Sequence, residues 1–422
     1  MAVVSGRSPA VRIAARLAAG IRPAQVCEWD RARVVLLCRP DIETLFGILE
    51  TNSANFLTPF DLVRARTEHA RFRRVLETYG AEVIDLREAL IFGCVGENGQ
   101  PVPGENLDRL RERAYASLRY EYDPAITSAE RRELEENKRR TIEALHPSVL
   151  ADLILLRPTI EIRPNPGALD PTSRYISTYR VDPANNQYFM RDPMITTRLG
   201  VVIGRFSLDV RRVENDNVEF ALAQLGIRPL YRVRPPGRLE GGDFMPAGDF
   251  VFQGQGLLSD EDGVGQLLEH RVYGYVEVAV VKDPRSQMDE MHLDTYFGLV
   301  SRHLAVLCED RIGGEQEPVV DVYLPEGTER DFRYRLARRC RFTEYLRDKQ
   351  IEIVPFSKEE QENYAPNFLL LESGRLVGVS RAGRAFAQRL RARGVDARFL
   401  DFDALTGGYG GPHCMSQVIV RG

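Results

Sequence analysis

The chain has 422 residues, 43% of them hydrophobic and 28% charged, a globular composition with ample apolar material for a core. Lysine plus arginine number 57 against 61 acidic residues, a net charge of -4, so no global basic field draws the protein to nucleic acid. No stretch of about 18 uninterrupted apolar residues is present, which excludes a transmembrane helix.

In chain order, residues 1–27 carry Arg7, Arg12, Arg16 and Arg22 but no acid, and Val11 to Ala19 has the pattern of a short amphipathic helix. This segment reads as the N-terminal arm of a cytoplasmic protein, with an organellar transit peptide as the alternative. Short β-type runs follow at Val34–Leu37 and Val83–Leu86, with a helix predicted between them over Leu62–Tyr79. From Glu105 to Arg157 the pattern turns helical throughout. Leu107, Leu110, Ala114 and Leu118 keep a three-to-four spacing, Thr127 with Glu130 forms a capping-box signature, and a helix opened by Ser148 is closed by Pro158. Residues 105–158 therefore read as a helical insertion in a body formed by 28–104 and 159–422. In that body β-type runs recur at Val201–Ile203, Phe250–Phe252, Val276–Val281, Val319–Leu324, Ile351–Val354, Phe368–Leu371, Leu376–Val379, Ala397–Leu400 and Val418–Val420. Helices are predicted at Phe332–Lys349 and Ala382–Arg393. Strands and helices alternate, so the class is α/β. The six cysteines, Cys27, Cys38, Cys94, Cys308, Cys340 and Cys414, include no CxxC pair, the usage of a reducing compartment and not of a disulfide framework or zinc site.

Four segments have a composition that packing alone does not ask for. In Met291-His292-Leu293-Asp294-Thr295 an extended strand would put His292 and Asp294 on one face, a histidine beside a carboxylate. Leu239-Glu240-Gly241-Gly242-Asp243 places two glycines between two acids, where the backbone can turn sharply or let another group approach. Gly407-Gly408-Tyr409-Gly410-Gly411-Pro412-His413-Cys414 is a side-chain-poor approach to a thiol, suited to a loop that closes over a ligand. Asn186 to Pro193 is a polar and aromatic cluster ahead of a strand. Each has a bland alternative: a structural hydrogen bond, a hairpin turn, a buried thiol, a loop.

Together and in this order, the segments FMRDP, EGGD, MHLDT and GGPHCMS resemble the arginine deiminases of the guanidino-group-modifying superfamily, and the resemblance covers nearly the whole chain. It implies a five-bladed pseudo-symmetric α/β propeller with a helical insertion to one side, and a hydrolase that needs no metal or organic cofactor. Its small-molecule partner is a guanidino substrate, first of all L-arginine, hydrolysed to L-citrulline and ammonia; assembly into a homo-oligomer is open. The family's nucleophile falls on Cys414, its acid-base histidine on His292, that histidine's carboxylate partner on Glu240, and the guanidinium-gripping carboxylates on Asp192 and Asp294. Asn186, Phe189 and Arg211 fall on further substrate contacts. Physical chemistry agrees with this allocation: two carboxylates can each take a pair of guanidinium N–H groups and leave the face of the carbon open to a thiolate.

The sequence departs from the family at the amino-acid end of the substrate. Where the family has an arginine for the α-carboxylate about twenty residues after EGGD, this chain has Leu258, in Gly254-Gln255-Gly256-Leu257-Leu258. A second family arginine, five residues before the cysteine, is Tyr409. The acidic pair of the family's first loop is absent around Phe56-Leu57-Thr58. Arg232, Arg234 and Arg238 are candidates to replace the lost grip. The alternatives are therefore the same chemistry on another guanidino compound, transfer of the amidino group to an amine, or a non-catalytic binding propeller.

Overall fold

The computed structural model describes residues 22–328 and 331–422, so the helix expected at Val11–Ala19 lies outside the described residues. One pairing pattern recurs in five of the sheets: an antiparallel pair of strands, with a third strand added in parallel after a helical crossover. The first sheet sets Ala32–Leu37 antiparallel to Gln417–Arg421 and parallel to Glu82–Asp85. The second joins Met194–Thr196, Val201–Ile203 and Tyr231–Arg232. The third joins Phe244–Ala247, Phe250–Gln255 and Glu277–Lys282, and is widened by Val319–Thr328 and Asp331–Arg341. The fourth and fifth are Phe297–Ser301, Leu304–Cys308, Glu352–Phe356 and Leu369–Glu372, Arg375–Val379, Asp396–Leu400. The chain's last strand thus completes its first sheet.

The crossovers are the helices Leu62–Thr78, Arg212–Gln224, Glu261–Glu269, Phe342–Asp348 and Arg384–Arg391. Aspartates start two of them: Asp61 accepts from the backbone N–H groups of Val63 and Arg64, and Asp260 from that of Gly263. The middle strands are nearly continuous apolar runs, as strands covered on both faces must be, and Leu304–Cys308 is buried at every position. The mixed α/β class is the one the alternation predicts. Among the described residues no helix is long and apolar enough to cross a membrane, and all six cysteines are free and buried.

Two element predictions are corrected. The segment 105–157 is not helical throughout: Arg119–Tyr122 is a strand, parallel to Pro158–Pro164, which in turn pairs with Tyr175–Val181. Alternating Tyr120 and Tyr122 explain the switch of period, and the hydroxyls of Tyr115 and Tyr122 donate to Glu135 at 2.6 and 2.7 Å, tying the strand to the helix Ser128–Ala144. The capping box at Thr127 and Glu130 is formed. These helices have a small core of their own, built from Leu107, Leu110, Ala114, Leu118, Ile142, Leu150 and Ile154 with Cys94.

The second correction concerns Phe332–Lys349. Asp331–Arg341 is a strand, and only Phe342–Asp348 is helical. Only Tyr334 and Cys340 of this strand are buried, while Leu336 and Arg338 between them and Arg333, Arg335, Arg339 and Arg341 are exposed, so the arginine-rich run shows no clear period of two.

One polar chain leads from the inserted helices to the segment before Asp192. Arg113 Nη2 donates to Asn217 Oδ1 at 3.3 Å, and Asn217 Nδ2 donates to Gln187 Oε1 at 2.9 Å.

Candidate active site

The segment Asn186–Pro193 is fixed first. Arg191 is fully buried; its N–H donates to the carbonyl of Cys414 at 2.9 Å, its Nε to that of His413 at 3.3 Å, and its Nη1 lies 3.7 Å from Glu28 Oε1. The neighbouring Asp192 is thereby placed next to the cysteine segment.

EGGD forms a short 3-10 turn at Gly241–Asp243, docked by the bond from Gly241 N–H to the carbonyl of Asp192 at 3.0 Å. The glycines are required by close approach and not by an unusual φ. A β-carbon on Gly241 would sit 2.0 Å from the carbonyl oxygen of Arg191, and one on Gly242 would sit 2.6 Å from His292 Nδ1. The two acids have different duties. Glu240 Oε2 accepts from His292 Nε2 at 3.1 Å while its Oε1 accepts from the Ser207 N–H at 3.0 Å. Asp243 Oδ1 accepts from the Leu293 N–H at 2.8 Å and so anchors MHLDT.

MHLDT is not the strand the alternation suggests. Leu293–Thr295 is a 3-10 turn, because Asp243 captures the Leu293 N–H and the N–H and hydroxyl of Thr295 return to the carbonyl of His292 at 3.1 and 2.5 Å. His292 and Asp294 are nevertheless both buried at the centre. His292 Nδ1 stands 3.9 Å from Asp192 Oδ1. Asp294 Oδ2 accepts from His413 Nδ1 at 2.7 Å and lies 3.6 Å from Cys414 Sγ.

The glycine loop is packed rather than open. Gly407, Gly408, Gly410 and Gly411 are buried. A β-carbon on Gly410 would come within 2.5 Å of the Phe189 ring and 2.9 Å of Cys414 Cβ, so the loop expected to be mobile owes its glycines to tight contact. Asn367 pins it: Oδ1 accepts from the N–H groups of Gly411 and Cys414 at 2.9 and 3.2 Å, while Nδ2 donates to Cys414 Sγ at 3.0 Å and to the Asp294 carbonyl at 3.4 Å.

The electrostatics are those of charged groups crowded out of water. Burial pushes the Cys414 thiol well above its ordinary range; Asp294 and Asp192 push the same way, and the Asn367 donor opposes them. Burial alone would lower His292, but the hydrogen bond to Glu240 and the charges of Asp192 and Asp243 raise it to about 10, so it is an imidazolium at neutral pH. Burial also raises Asp192 against the pull of Arg211 and His292, whereas His413, His292 and Arg191 overcome burial and hold Asp294 below its usual range. Two acceptors are left over: Asp192 Oδ1 and Asp294 Oδ1 are buried and have no hydrogen-bond partner among the described residues. Among those residues no group of His, Cys, Asp or Glu is arranged to hold a metal ion.

A cavity of about 320 Å³ reaches Cys414 and Asn367, walled by Leu57, Met291, Tyr364 and Tyr409. Cys414, His292, Glu240, Asp192 and Asp294 are thus gathered in one buried cluster. Phe189 packs on Tyr188 with ring centroids 4.2 Å apart. Of the expected site residues Cys414 and Tyr409 line the cavity; Phe189, Asn186, Arg211 and Leu258 do not, nor do His292, Glu240, Asp192 and Asp294, which reach it only through their contacts with one another and with Cys414. Asn186 Nδ2 donates to the carbonyl of Ala54 at 2.5 Å, and Leu258 is buried. Arg211 is spent on carboxylates, with Nη1 on Asp192 Oδ2 and Nη2 on Glu214 Oε2, each at 2.9 Å. The replacement arginines do not reach the cavity either: Arg232 pairs with Asp216 and Glu219, Arg238 pairs with Asp260, and Arg234 is exposed. Asn367 carried no signal in the sequence, since an asparagine after Ala365-Pro366 reads as loop. His413, Arg191 and Asp243 stood inside quoted segments, but nothing in the sequence set their partners.

The family model described as arginine deiminase matches residues 56–421. An arginine deiminase of Halobacterium salinarum is 27% identical over 406 residues, covering 78% of each chain. One from Limosilactobacillus reuteri is 25% identical over 423 residues, covering 93% of this chain and 97% of its own. Among solved structures, a DDAH variant from Pseudomonas aeruginosa complexed with citrulline aligns with TM-score 0.52 at 14% identity, covering 92% of this chain and 99% of that one. The N-terminal domain of cyanobacterial ArgZ, in a variant covalently bound to a reaction intermediate, aligns with TM-score 0.54 at 12% identity, covering 92% and 98%. At such identities these structures speak for the fold alone.

Proposed function

From the chain's membership of the arginine deiminase family, and hence its place among hydrolases acting on guanidino C–N bonds, we propose that Cys414 performs the reaction through a covalent thiouronium intermediate. The observation that carries the reading is that two carboxylates acting on one sulfur, Asp294 with its Oδ2 3.6 Å from Cys414 Sγ and Asp192 through its charge, each keep a buried Oδ1 without a hydrogen-bond partner among the described residues. A guanidinium donates N–H groups to both, which fixes its plane and turns its carbon toward Cys414 Sγ. The bound cation offsets the two carboxylates that keep the thiol protonated, so the thiol releases its proton to solvent and the thiolate forms in the complex, to be reprotonated when the ureido product loses its extra proton. Sulfur adds to the carbon, and the imidazolium of His292 gives its proton to the departing nitrogen, which leaves as ammonia. His292, now neutral, takes a proton from water; the resulting hydroxide adds to the thiouronium carbon, the C–S bond breaks, and a ureido product leaves. Glu240 holds the imidazole through Nε2 and directs Nδ1 toward Asp192, where the substrate nitrogen lies.

L-arginine, giving L-citrulline and ammonia, is the reference substrate. Leu258 and Tyr409, at positions where the family has arginines, together with the engagement of Arg211 by Asp192 and Glu214, favour a second reading: the same chemistry on a guanidino compound held differently at its far end. The architecture that supports both is a five-bladed propeller, argued from the repeated sheet pattern and the pairing of the last strand with the first, with residues 105–158 inserted to one side. We place the protein in the cytoplasm on its six free thiols.

The test is turnover and trapping. Wild-type protein incubated with guanidines should release ammonia and a ureido product in equal amounts, and a sample acid-quenched during turnover should carry the amidino adduct on Cys414 by mass spectrometry, while His292→Ala should lose both turnover and most of the adduct. Cys414→Ser should abolish turnover and keep substrate-dependent thermal stabilisation. Near-normal activity of Cys414→Ser removes the sulfur from the mechanism. Adduct transfer to an added amine in preference to water makes the protein an amidinotransferase, and stabilisation without turnover makes it a binding protein.

A further inference from the structure

The cavity beside Cys414 has an outer end whose charge is the reverse of what an amino-acid tail requires. Glu362 and Asp289 both line it, and its lining includes no arginine or lysine. Glu362 is exposed and makes no ion pair among the described residues. Asp289 accepts from Lys358 Nζ at 2.6 Å, an ammonium shared at 2.9 Å with Glu290, which also pairs with Arg285 and Arg311. Tyr409 takes the place of one family arginine. Burial holds its phenol above the ordinary range, with Asp289 and Glu362 adding to the rise and Lys358 opposing it, which sets that hydroxyl in the field of the acids. Arg381, exposed and outside the lining, acts on the hydroxyl of Tyr364 through space.

We propose that this site takes a guanidine whose far end is an ammonium and which carries no α-carboxylate. The guanidinium is clamped by Asp192 and Asp294, the aliphatic spacer lies between Met291, Leu57 and the rings of Tyr364 and Tyr409, and the terminal ammonium meets Glu362 and Asp289. An α-carboxylate in that position faces like charge and finds no guanidinium to grip it. An ammonium there has two acids of opposite sign and the two tyrosine hydroxyls as acceptors. The proposal rests on the deimination reading above and narrows it to a substrate class.

Four compounds with one guanidino group on an unbranched aliphatic chain isolate the tail: 4-guanidinobutylamine, butylguanidine, 4-guanidinobutanoate and L-arginine. For each, kcat/KM is measured from ureido product, and the thermal stabilisation of Cys414→Ser is read separately from turnover. The expected order is amine, then neutral, then the two carboxylates, in both measurements. Glu362→Lys should lower kcat/KM for the amine by about twofold to thirtyfold, the range for reversing a solvent-exposed charge, and raise that for 4-guanidinobutanoate. Turnover that favours 4-guanidinobutanoate or L-arginine, with a ratio indifferent to Glu362→Lys, overturns the proposal and leaves deimination standing. If that carboxylate preference is lost in Arg381→Ala, Arg381 is the grip and the proposal is equally overturned. Absence of both turnover and stabilisation with all four overturns the deimination reading itself and this proposal with it.

Discussion

Asn367 offers the sharpest test of how the sulfur is controlled. Its Nδ2 is the one side-chain amide donor on Cys414 Sγ, at 3.0 Å, and its Oδ1 receives the N–H groups of Gly411 and Cys414. A hydrogen bond to a charged acceptor contributes about 1.5–3 kcal/mol, so removing the donor should push the thiol's pKa further up and lower kcat/KM by about tenfold to a hundredfold. Asn367→Ala also strands two buried N–H groups, at about 1–3 kcal/mol each, and its melting temperature should fall accordingly. Asn367→Asp separates the two effects. It keeps an acceptor for both N–H groups but puts a carboxylate where the donor was, so activity should fall at least as far as in Asn367→Ala while the loop hydrogen bonds survive. The rate of Cys414 alkylation by iodoacetamide as a function of pH, beside kcat/KM and thermal melting, reads all three quantities. An alkylation profile unchanged in Asn367→Asp, with kcat/KM within threefold of wild type, would refute control of the sulfur by this amide.

Glu240→Gln removes the group that raises His292 most, so the imidazolium loses its proton at lower pH and the alkaline limb of activity moves down from about 10; a pH–rate profile with an unmoved limb contradicts the assignment. The same raised pKa has a stability sign: protonation of His292 stabilises the fold fully below the unfolded value of about 6.5, and that contribution is lost as pH rises through about 10, so melting of His292→Asn should depend less on pH across this window. Gly242→Ala places a β-carbon 2.6 Å from His292 Nδ1, and should cost about 1–3 kcal/mol and most of the activity; wild-type kinetics would show that the two turns are not as tightly docked as described. Arg191→Met leaves Glu28 with Arg421 alone and frees the cysteine segment, with an expected loss of about 3–5 kcal/mol in denaturant unfolding, against no change if the contacts are incidental.

What the sequence made legible and what it hid follow from the range of the interactions involved. The α/β class and most central strands were visible because Val34–Leu37 or Leu376–Val379 are apolar runs whose burial is decided locally. Asp331–Arg341 reads as helix in the sequence because its strand character depends on pairing along its whole length with Val319–Thr328, and its arginines mimic the exposed face of a helix. The motifs announced Cys414, His292, Glu240, Asp192 and Asp294, which the fold does bring together. Why the motifs have their spacing was not visible. The glycines of EGGD exist for Arg191 and His292, those of the cysteine loop for Phe60, Tyr188, Phe189 and Asn367, and MHLDT curls into a turn because Asp243, fifty residues earlier, takes the Leu293 N–H.

The central cluster makes sense as a device whose ionisation is completed by its substrate. In the free protein the sulfur lies 3.6 Å from a carboxylate that His413 helps to keep ionised, and a second carboxylate and burial act on it in the same direction. Such a thiol is a poor nucleophile and a poor target for oxidants. The donors beside it, the Asn367 amide and the Gly411 backbone, are neutral and do not overcome the acids. A guanidinium that pairs with Asp192 and Asp294 supplies positive charge where their field opposes thiolate formation, and the already protonated His292 adds to it. In the proposed mechanism the groups that bind the cation are therefore the groups that hold the nucleophile silent without it, so a neutral molecule of the same shape would lack the charge that releases the sulfur. On the proposed mechanism, selectivity for the guanidino group and protection of the thiol are consequences of one arrangement, and the proposed choice of tail rests on Glu362 and Asp289, which line the cavity away from that cluster.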